Sequence, residues 1–241
     1  MVDLLFFPRP RTMSARLSRK RSRLATESDD DEIQQLREPS PALPWLGDTL
    51  KRSKTQCELD ELDIVEPTDA WTVDVDAILA STTLAAPQGS RLKSHNNWQR
   101  YEKGGSTTIF CVQGNLQLHY DLLCSALDEL YAIAPSLQAF VLCYDPATHN
   151  LSETAPFSLP LISAVDPPNN HFVRLGLLHP LGGGKFPLDA LAVVDKKGHR
   201  RLVLPFGWGA GRHADTPAGR SIQNKMMMLL KHCVETLERE A

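Results

Sequence analysis

Apolar residues recur with the periods of helices and strands only from about residue 96 onward. Before that point, prolines, serines and charged residues dominate, and the apolar residues stand singly or in short clusters. Such clusters bury too little apolar surface to offset the entropy of ordering the chain. The pattern predicts a largely disordered N-terminal region, residues 1–95, and one folded C-terminal domain, residues 96–241.

The folded part opens with a predicted β-α-β unit. Residues 106–114 (STTIFCVQG) and residues 137–145 (LQAFVLCYD) are rich in β-branched and aromatic side chains, as strands are. Between them, Asn115 is the predicted N-cap of a helix that must end near Pro135. One face of this helix carries a broad apolar stripe, which a sheet must cover.

A hairpin and a long helix are predicted to complete the domain. Two apolar runs flank a turn that begins at Asp195 and ends at Gly198, and Pro205 places the second run at a sheet edge or a strand end. The C-terminal helix is predicted to start at Thr216 as N-cap, with Pro217 in its first turn. The fold class is therefore α+β, with a mixed sheet of about five strands and two main helices.

The net charge, the cysteines and the length of the apolar runs disfavour several classes of protein. A net charge of −3 and a pI near 6.2 disfavour binding to nucleic acid through the whole surface. The five cysteines are odd in number and form no CxxC pair, which is typical of reduced intracellular thiols. No run approaches the roughly 18 apolar residues of a membrane span, so we expect a soluble protein without membrane contact.

No motif in the chain indicates catalysis, a metal site or a cofactor. The sequence lacks G-x-S-x-G and H-E-x-x-H, and its eight histidines show no ligand spacing. A glycine-rich stretch, residues 179–187, is most simply a connector between strands, because proline and not a helix follows its lysine. The alternative is an anion or small-ligand pocket between the 182–185 and 207–213 loops. That pocket would use Gly183, Gly184, Lys185 and Arg212.

Two residues of the predicted domain are candidate partner contacts. Trp208 lies among three glycines just before the C-terminal helix, where it would either close the edge of the core or present a binding surface. Met228 falls among the polar positions of that helix, where an apolar side chain has no core to enter.

The N-terminal region carries a basic cluster. Import receptors recognise such clusters, and negatively charged phosphate groups attract them. The residues of the cluster are Arg16, Arg19, Lys20, Arg21 and Arg23. We favour a nuclear-import signal, with a secondary nucleic-acid contact and a merely solvated tail as alternatives. Ser22 lies inside the cluster and Ser28 precedes an acidic run, so both are candidate phosphorylation sites, and a phosphate on Ser22 would weaken recognition of the cluster.

Two further segments of the N-terminal region resemble linear docking elements. Residues 39–50 offer Trp45 and Leu46, while the acidic stretch that follows offers Trp71, Ile78 and Leu79. Alternation of acidic and apolar residues suits a segment that folds on binding, with the aromatic side chain as anchor. The alternatives are that Trp71 and Ile78 fold back onto this protein's own domain, or that the two segments have no defined role.

Together these patterns predict a non-enzymatic regulatory or adaptor protein of the nucleus, with the cytoplasm left open as a second location. It would be a subunit of a protein complex and would bind an import receptor. The alternatives are a ligand-binding domain, enzymatic or not, with the glycine-loop pocket, and a chromatin-associated factor that binds through its basic tail.

Overall fold

The structure is a computed structural model that describes residues 62–81, 83–84, 93–94, 101–145, 149, 157–166, 169–179, 182–184, 186–206 and 214–241. These residues all belong to one compact unit of the chain, Thr49–Ala241. Within the described residues, no helix is long and apolar enough to cross a membrane.

A seven-stranded mixed sheet forms the centre of the domain, in the order β1-β11-β10-β4-β5-β7-β2. Its strands are β1 (Trp71–Thr72), β2 (Thr83–Leu84), β4 (Thr108–Gln113), β5 (Gln138–Cys143), β7 (Leu161–Ser163), β10 (Ala190–Val194) and β11 (His199–Pro205). Strand β5 is parallel to β4 and β7, and the other neighbours are antiparallel. Two smaller ladders pair β3 (Lys93–Ser94) with β6 (Phe157–Ser158) and β8 (Val165–Asp166) with β9 (Asn169–Asn170).

Four helices accompany the sheet in the described part of the chain. They are α1 (Val75–Leu79), α2 (Leu118–Ile133), α3 (His171–Arg174) and α4 (Pro217–Arg239). The α+β class with two main helices is confirmed, and the sheet has seven strands where the sequence indicated about five. The predicted β-α-β unit is confirmed as well, since α2 connects the parallel strands β4 and β5.

The central strands are buried on both faces, because successive side chains of a strand point to opposite sides of the sheet. Every residue of β4, β5 and β10 is buried. On one face, side chains such as Ile109 and Val141 pack against the apolar stripes of α2 and α4. On the other face, Phe110 and Phe140 form a second core, which α2 and α4 do not reach.

The second core is covered by a segment within residues 1–95, the region that the sequence pattern predicts to be largely disordered. Residues 73–79, including α1, pack there together with Phe172 of α3. Ile78 and Leu79 are fully buried, so these two predicted partner contacts are wrong: they contact this protein's own core, as the fold-back alternative had it. The folded domain therefore includes residues 62–81, and its boundary is not at residue 95.

Local turn and cap signals in the second half of the chain are confirmed. Asp195 accepts hydrogen bonds from the backbone N–H groups of Lys197 and His199, and Gly198 has φ +86 in the turn between β10 and β11. Thr216 caps α4 by accepting from the N–H of Gly219, with proline in the first turn. These signals are local, which is why sequence alone identifies them.

Candidate functional site

A partly exposed tryptophan is fixed at the edge of the sheet. Trp71 is 53% exposed, yet its indole Nε1–H donates to the carbonyl of Arg174 at 3.0 Å. The guanidinium carbon of Arg200 lies 5.7 Å from the centre of the indole ring, in cation–π contact. Val173 of α3 is 51% exposed. We call Trp71, Val173, Arg174 and Arg200 the Trp71 platform.

Sheet pairing and a glycine turn hold the platform in place. Trp71 pairs with Arg200 in the β1–β11 ladder, which brings indole and guanidinium to the same strand end. Arg200 Nη1 also donates to the carbonyl of Leu175. Gly176 has φ +67, and a Cβ there would lie 2.9 Å from Arg200 Nη1, so a larger residue would strain the backbone and displace the guanidinium. The platform is therefore set by tertiary packing and not by a flexible segment.

The second predicted contact of the domain, Met228, is 69% exposed on α4. The residues one turn away from it on that helix are polar: Asn224, Lys225, Lys231 and His232. It is therefore an isolated apolar side chain and lacks the surrounding contact surface that Trp71 has.

Many predicted site residues lie outside the described residues. These are the import-signal residues, Ser22, Ser28, Trp45, Leu46, Trp208, Lys185 and Arg212. Gly183 and Gly184 are described, with φ +61 and +75, and a Cβ added at either position would have no described heavy atom within 4 Å.

A second surface feature is a cleft of about 400 Å³ at the carboxyl ends of β4 and β5. Residues 113–117 form one side, Tyr144 and Asp145 follow β5, and Phe186 and Pro187 close the cleft from the loop before β10. We call it the Tyr144–Phe186 cleft. No local sequence pattern indicates this cleft, because its lining comes from three separate segments.

The carboxylate of Asp189 accepts hydrogen bonds from the N–H groups of residues 114–116, which line one side of this cleft. Its Oδ1 accepts from the N–H of Gly114 at 2.6 Å and of Leu116 at 3.2 Å, and its Oδ2 from the N–H of Asn115 at 3.3 Å. The predicted Asn115 cap is wrong, because the N-cap of α2 is Gln117 and makes no side-chain cap hydrogen bond. The carboxylate of Asp189, which is far away in sequence, accepts from the N–H groups of this turn instead. These donors are therefore not available to an anionic ligand.

A buried polar chain supports the same loop. The distance between Nδ1 of His149 and Oε1 of Gln113 is 2.5 Å. Nε2 of Gln113 in turn donates to Oε1 of Gln117 at 2.6 Å. His119 is fully buried on α2, with Nε2 2.9 Å from the carbonyl of Val112. Because carbonyl oxygens accept, each ring donates through that nitrogen, and burial favours the neutral form of both rings by lowering their pKa.

Acidification is expected to destabilise the domain through these histidines. Burial lowers the pKa of His149 to about 4 and also lowers the pKa of His119. A folded-state pKa below the unfolded value of about 6.5 means that the unfolded chain binds more protons, so stability is lost as pH falls from about 6.5 to 4. For His149 the loss reaches about 3 kcal/mol. Urea unfolding across this pH range measures it, and His149→Gln is expected to lower the proton slope by about one.

The cysteines of the described residues are buried, which disfavours thiol chemistry. Burial raises the pKa of Cys124 to about 12 and that of Cys143 to about 11, so neither is a thiolate at neutral pH. Ser81 Oγ lies 2.6 Å from Nε2 of the fully buried His171, a contact that connects the end of α1 to α3. No group of metal-ligating side chains occurs within the described residues.

Comparison with known proteins gives one short sequence match and distant structural neighbours. No family model matches the chain. Uba3-binding protein but1 of Schizosaccharomyces pombe is 47% identical over 57 residues, which cover 23% of this chain and 22% of that protein. The chain thus spans about a fifth of the curated relative that it matches.

The structural neighbours are peroxiredoxin-like proteins at low similarity. Thioredoxin peroxidase I of Plasmodium yoelii shares 18% identity and a TM-score of 0.35, with 54% of this chain and 75% of that chain covered. The bacterioferritin comigratory protein of Xanthomonas campestris shares 13% identity and a TM-score of 0.36, with 54% and 81% covered. Likeness at this level does not define a shared fold or a shared activity.

Proposed function

We propose that this protein is a non-enzymatic adaptor whose folded domain binds a protein partner through the Trp71 platform. The observation that carries the proposal is an indole that is 53% exposed and yet held by a hydrogen bond and a cation–π contact. Tryptophan and arginine are the residue types most enriched at the energetic centres of protein interfaces. An anchor that is already fixed loses little conformational entropy on binding.

Uba3 is the first partner to test. The match to Uba3-binding protein but1 supports protein binding as the role of the shared segment, although it covers only 22% of that protein. We propose that this chain binds Uba3 as a component of a complex. Location in the nucleus is a further part of the proposal, supported by the basic cluster at residues 16–23, which suits an import receptor.

The non-enzymatic part of the proposal is supported by the chemistry of the described cysteines, whose thiols are buried and protonated. The alternative of a glycine-loop anion pocket is carried by no observation, since of its four residues Gly183 and Gly184 are the two that lie in the described part of the chain. The turn next to the large cleft, in addition, is already filled by the carboxylate of Asp189.

Trp71→Ala is expected to weaken binding to Uba3 about 30-fold, as for an interface anchor worth about 2 kcal/mol. The measurement is isothermal titration of the full-length chain with purified Uba3 of the same organism. Unfolding of each variant is measured in parallel, and Trp71→Ala is expected to cost the domain about 1 kcal/mol, because the indole is half in solvent.

Met228→Ala is the matched control, since Met228 is equally apolar and more exposed but stands alone on α4. It is expected to leave the affinity unchanged within about twofold. Equal loss in both variants would mean that the partner covers α4 as well. An unchanged affinity of the Trp71→Ala variant would show that the platform is not the binding surface. Failure of the full-length chain to bind Uba3 would show that Uba3 is not the partner.

A further inference from the structure

The Tyr144–Phe186 cleft shares no residue with the Trp71 platform and has the build of a separate binding site. It lies at the carboxyl ends of the parallel strands β4 and β5, where open mixed sheets place their ligands. Its volume of about 400 Å³ is large enough for a side chain and its neighbouring peptide groups.

Two aromatic rings form the apolar wall of the cleft. Tyr144 is 48% and Phe186 51% exposed, and their ring centres are 6.5 Å apart. Folding alone does not bury these rings, so each leaves about half of its surface to solvent or to a ligand. The faces of aromatic rings carry negative potential and attract guanidinium and ammonium groups.

The charged groups that the described residues bring to the cleft are carboxylates. Asp145 belongs to its lining, and Asp189 lies directly behind residues 114–116, bonded to their N–H groups. None of the residues that line the cleft in the described part of the chain is a lysine or an arginine. An anion would meet two carboxylates and no free N–H at this turn, whereas a cation is attracted by both carboxylates.

We propose that the cleft binds an arginine side chain of a protein partner. The planar guanidinium stacks on the ring faces of Tyr144 and Phe186, and one of its N–H groups donates to the carboxylate of Asp145, which also keeps an interaction within the chain. Arginine is favoured over lysine because a planar, weakly hydrated cation gains from stacking and a charge-assisted hydrogen bond together, whereas a compact ammonium stacks poorly. The side-chain amide of Gln117, held by Gln113, borders the same cleft and offers a further polar contact.

The test titrates the full-length chain with a capped five-residue peptide that carries one arginine between glycines and serines. Binding is followed by the backbone amide shifts of Gly114 and Asn115 in NMR spectra. We expect saturable shifts at this loop, and about tenfold weaker binding of the peptide with citrulline, which keeps the shape and lacks the charge. The lysine peptide is expected to bind several-fold more weakly than the arginine peptide.

Variants of the wall and of the carboxylate separate stacking from charge. Phe186→Ala is expected to weaken the arginine peptide about tenfold and Asp145→Asn about fivefold. Asp128→Asn, which removes one exposed carboxylate from α2, is the control and should leave the affinity within twofold. All three positions are exposed, so the variants are expected to remain folded.

Three results would overturn the proposal: no saturable shift at the loop, equal affinity for arginine and citrulline peptides, or equal loss in Asp128→Asn and Asp145→Asn. The first result shows that the cleft is not a peptide site. The second shows a neutral apolar site, and the third shows attraction by net charge alone. None of them bears on Uba3 binding through Trp71, since the two surfaces have no residue in common.

Discussion

A chain shortened to residues 96–241 is expected to lose its cooperative fold, whereas a chain that starts at residue 49 is expected to keep it. The shorter chain lacks α1 and the residues before it, whose apolar side chains cover the second face of the sheet. Val73, Val75, Ile78 and Leu79 are each at most 8% exposed. At about 2 kcal/mol for each buried side chain, their removal costs about 8 kcal/mol, a large part of the roughly 5–15 kcal/mol of an ordinary domain.

Thermal unfolding and size-exclusion chromatography of the two shortened chains measure this difference. The chain from residue 96 exposes Phe110 and Phe140 and is expected to aggregate, while the chain from residue 49 gives one cooperative transition. Ile78→Ala in the full chain is the milder variant and is expected to lower the unfolding free energy by about 3 kcal/mol. A stable, monomeric 96–241 chain would show that the second core needs no cover from residues 62–81.

Replacement of Arg201 by methionine is expected to destabilise the full chain by about 3 kcal/mol, because it removes the donor of Asp195 and of the Val65 carbonyl, whereas Glu240 is 41% exposed and regains contact with water. The side chain of Arg201 is 2% exposed. Its Nη1 and Nη2 donate to Glu240 at 2.6 and 3.2 Å, and its Nε donates to the carbonyl of Val65. One guanidinium thus connects β11, the segment before β1 and the last turn of α4.

The substitution leaves Glu240 and Asp195 without their shared cation. Asp195 Oδ2 lies 3.6 Å from Arg201 Nη1, and its side chain is 11% exposed, so its carboxylate remains largely buried next to a second negative charge. Lys231→Met is the matched control: it removes the ion pair of Lys231 with the largely exposed Glu129, for which we expect about 0.5 kcal/mol or less. Urea unfolding at neutral pH measures both, and equal effects would contradict the special role of Arg201.

The pH dependence provides a second readout for this ion pair. The hydrogen bond from Arg201 lowers the pKa of Glu240 below its usual value of 4.5. A lowered folded-state pKa contributes stability above about pH 4.5, and this contribution is lost as pH falls below that value. In Arg201→Met the cause of the shift is gone, so the acid slope below about pH 4.5 is expected to flatten.

The sequence contains a signal that the second face of the sheet is covered, and a domain boundary near residue 95 is not consistent with it. The runs that became β4, β5 and β10 are apolar at successive positions, and such runs are typical of strands buried on both faces. Two main helices cover only one face of such a sheet. The missing layer had to come from elsewhere in the chain, and residues 73–79 were the apolar cluster nearest to the domain.

The Trp71 platform could be predicted from the sequence in part, whereas the Tyr144–Phe186 cleft could not. Trp71 was a candidate from its type and its acidic surroundings, and the structure shows it partly exposed and fixed. Its partners, Arg174 and Arg200, lie more than a hundred residues away, so no local pattern indicates them. The cleft depends on three segments and on Asp189, which acts on the turn at Gly114 from 75 positions along the chain.

By itself, the sequence determined the elements whose causes are local: the strands with apolar residues at successive positions, the turn from Asp195 to Gly198, the Thr216 cap and the apolar stripes of α2 and α4. Hydrogen bonds and side-chain periodicity within a few residues are sufficient for these. Only the tertiary structure decided that Ile78 is core, that Trp71 is surface, and that a carboxylate closes the turn before α2. These outcomes depend on which distant segments meet, and burial on a sheet face is a property of the assembled layers.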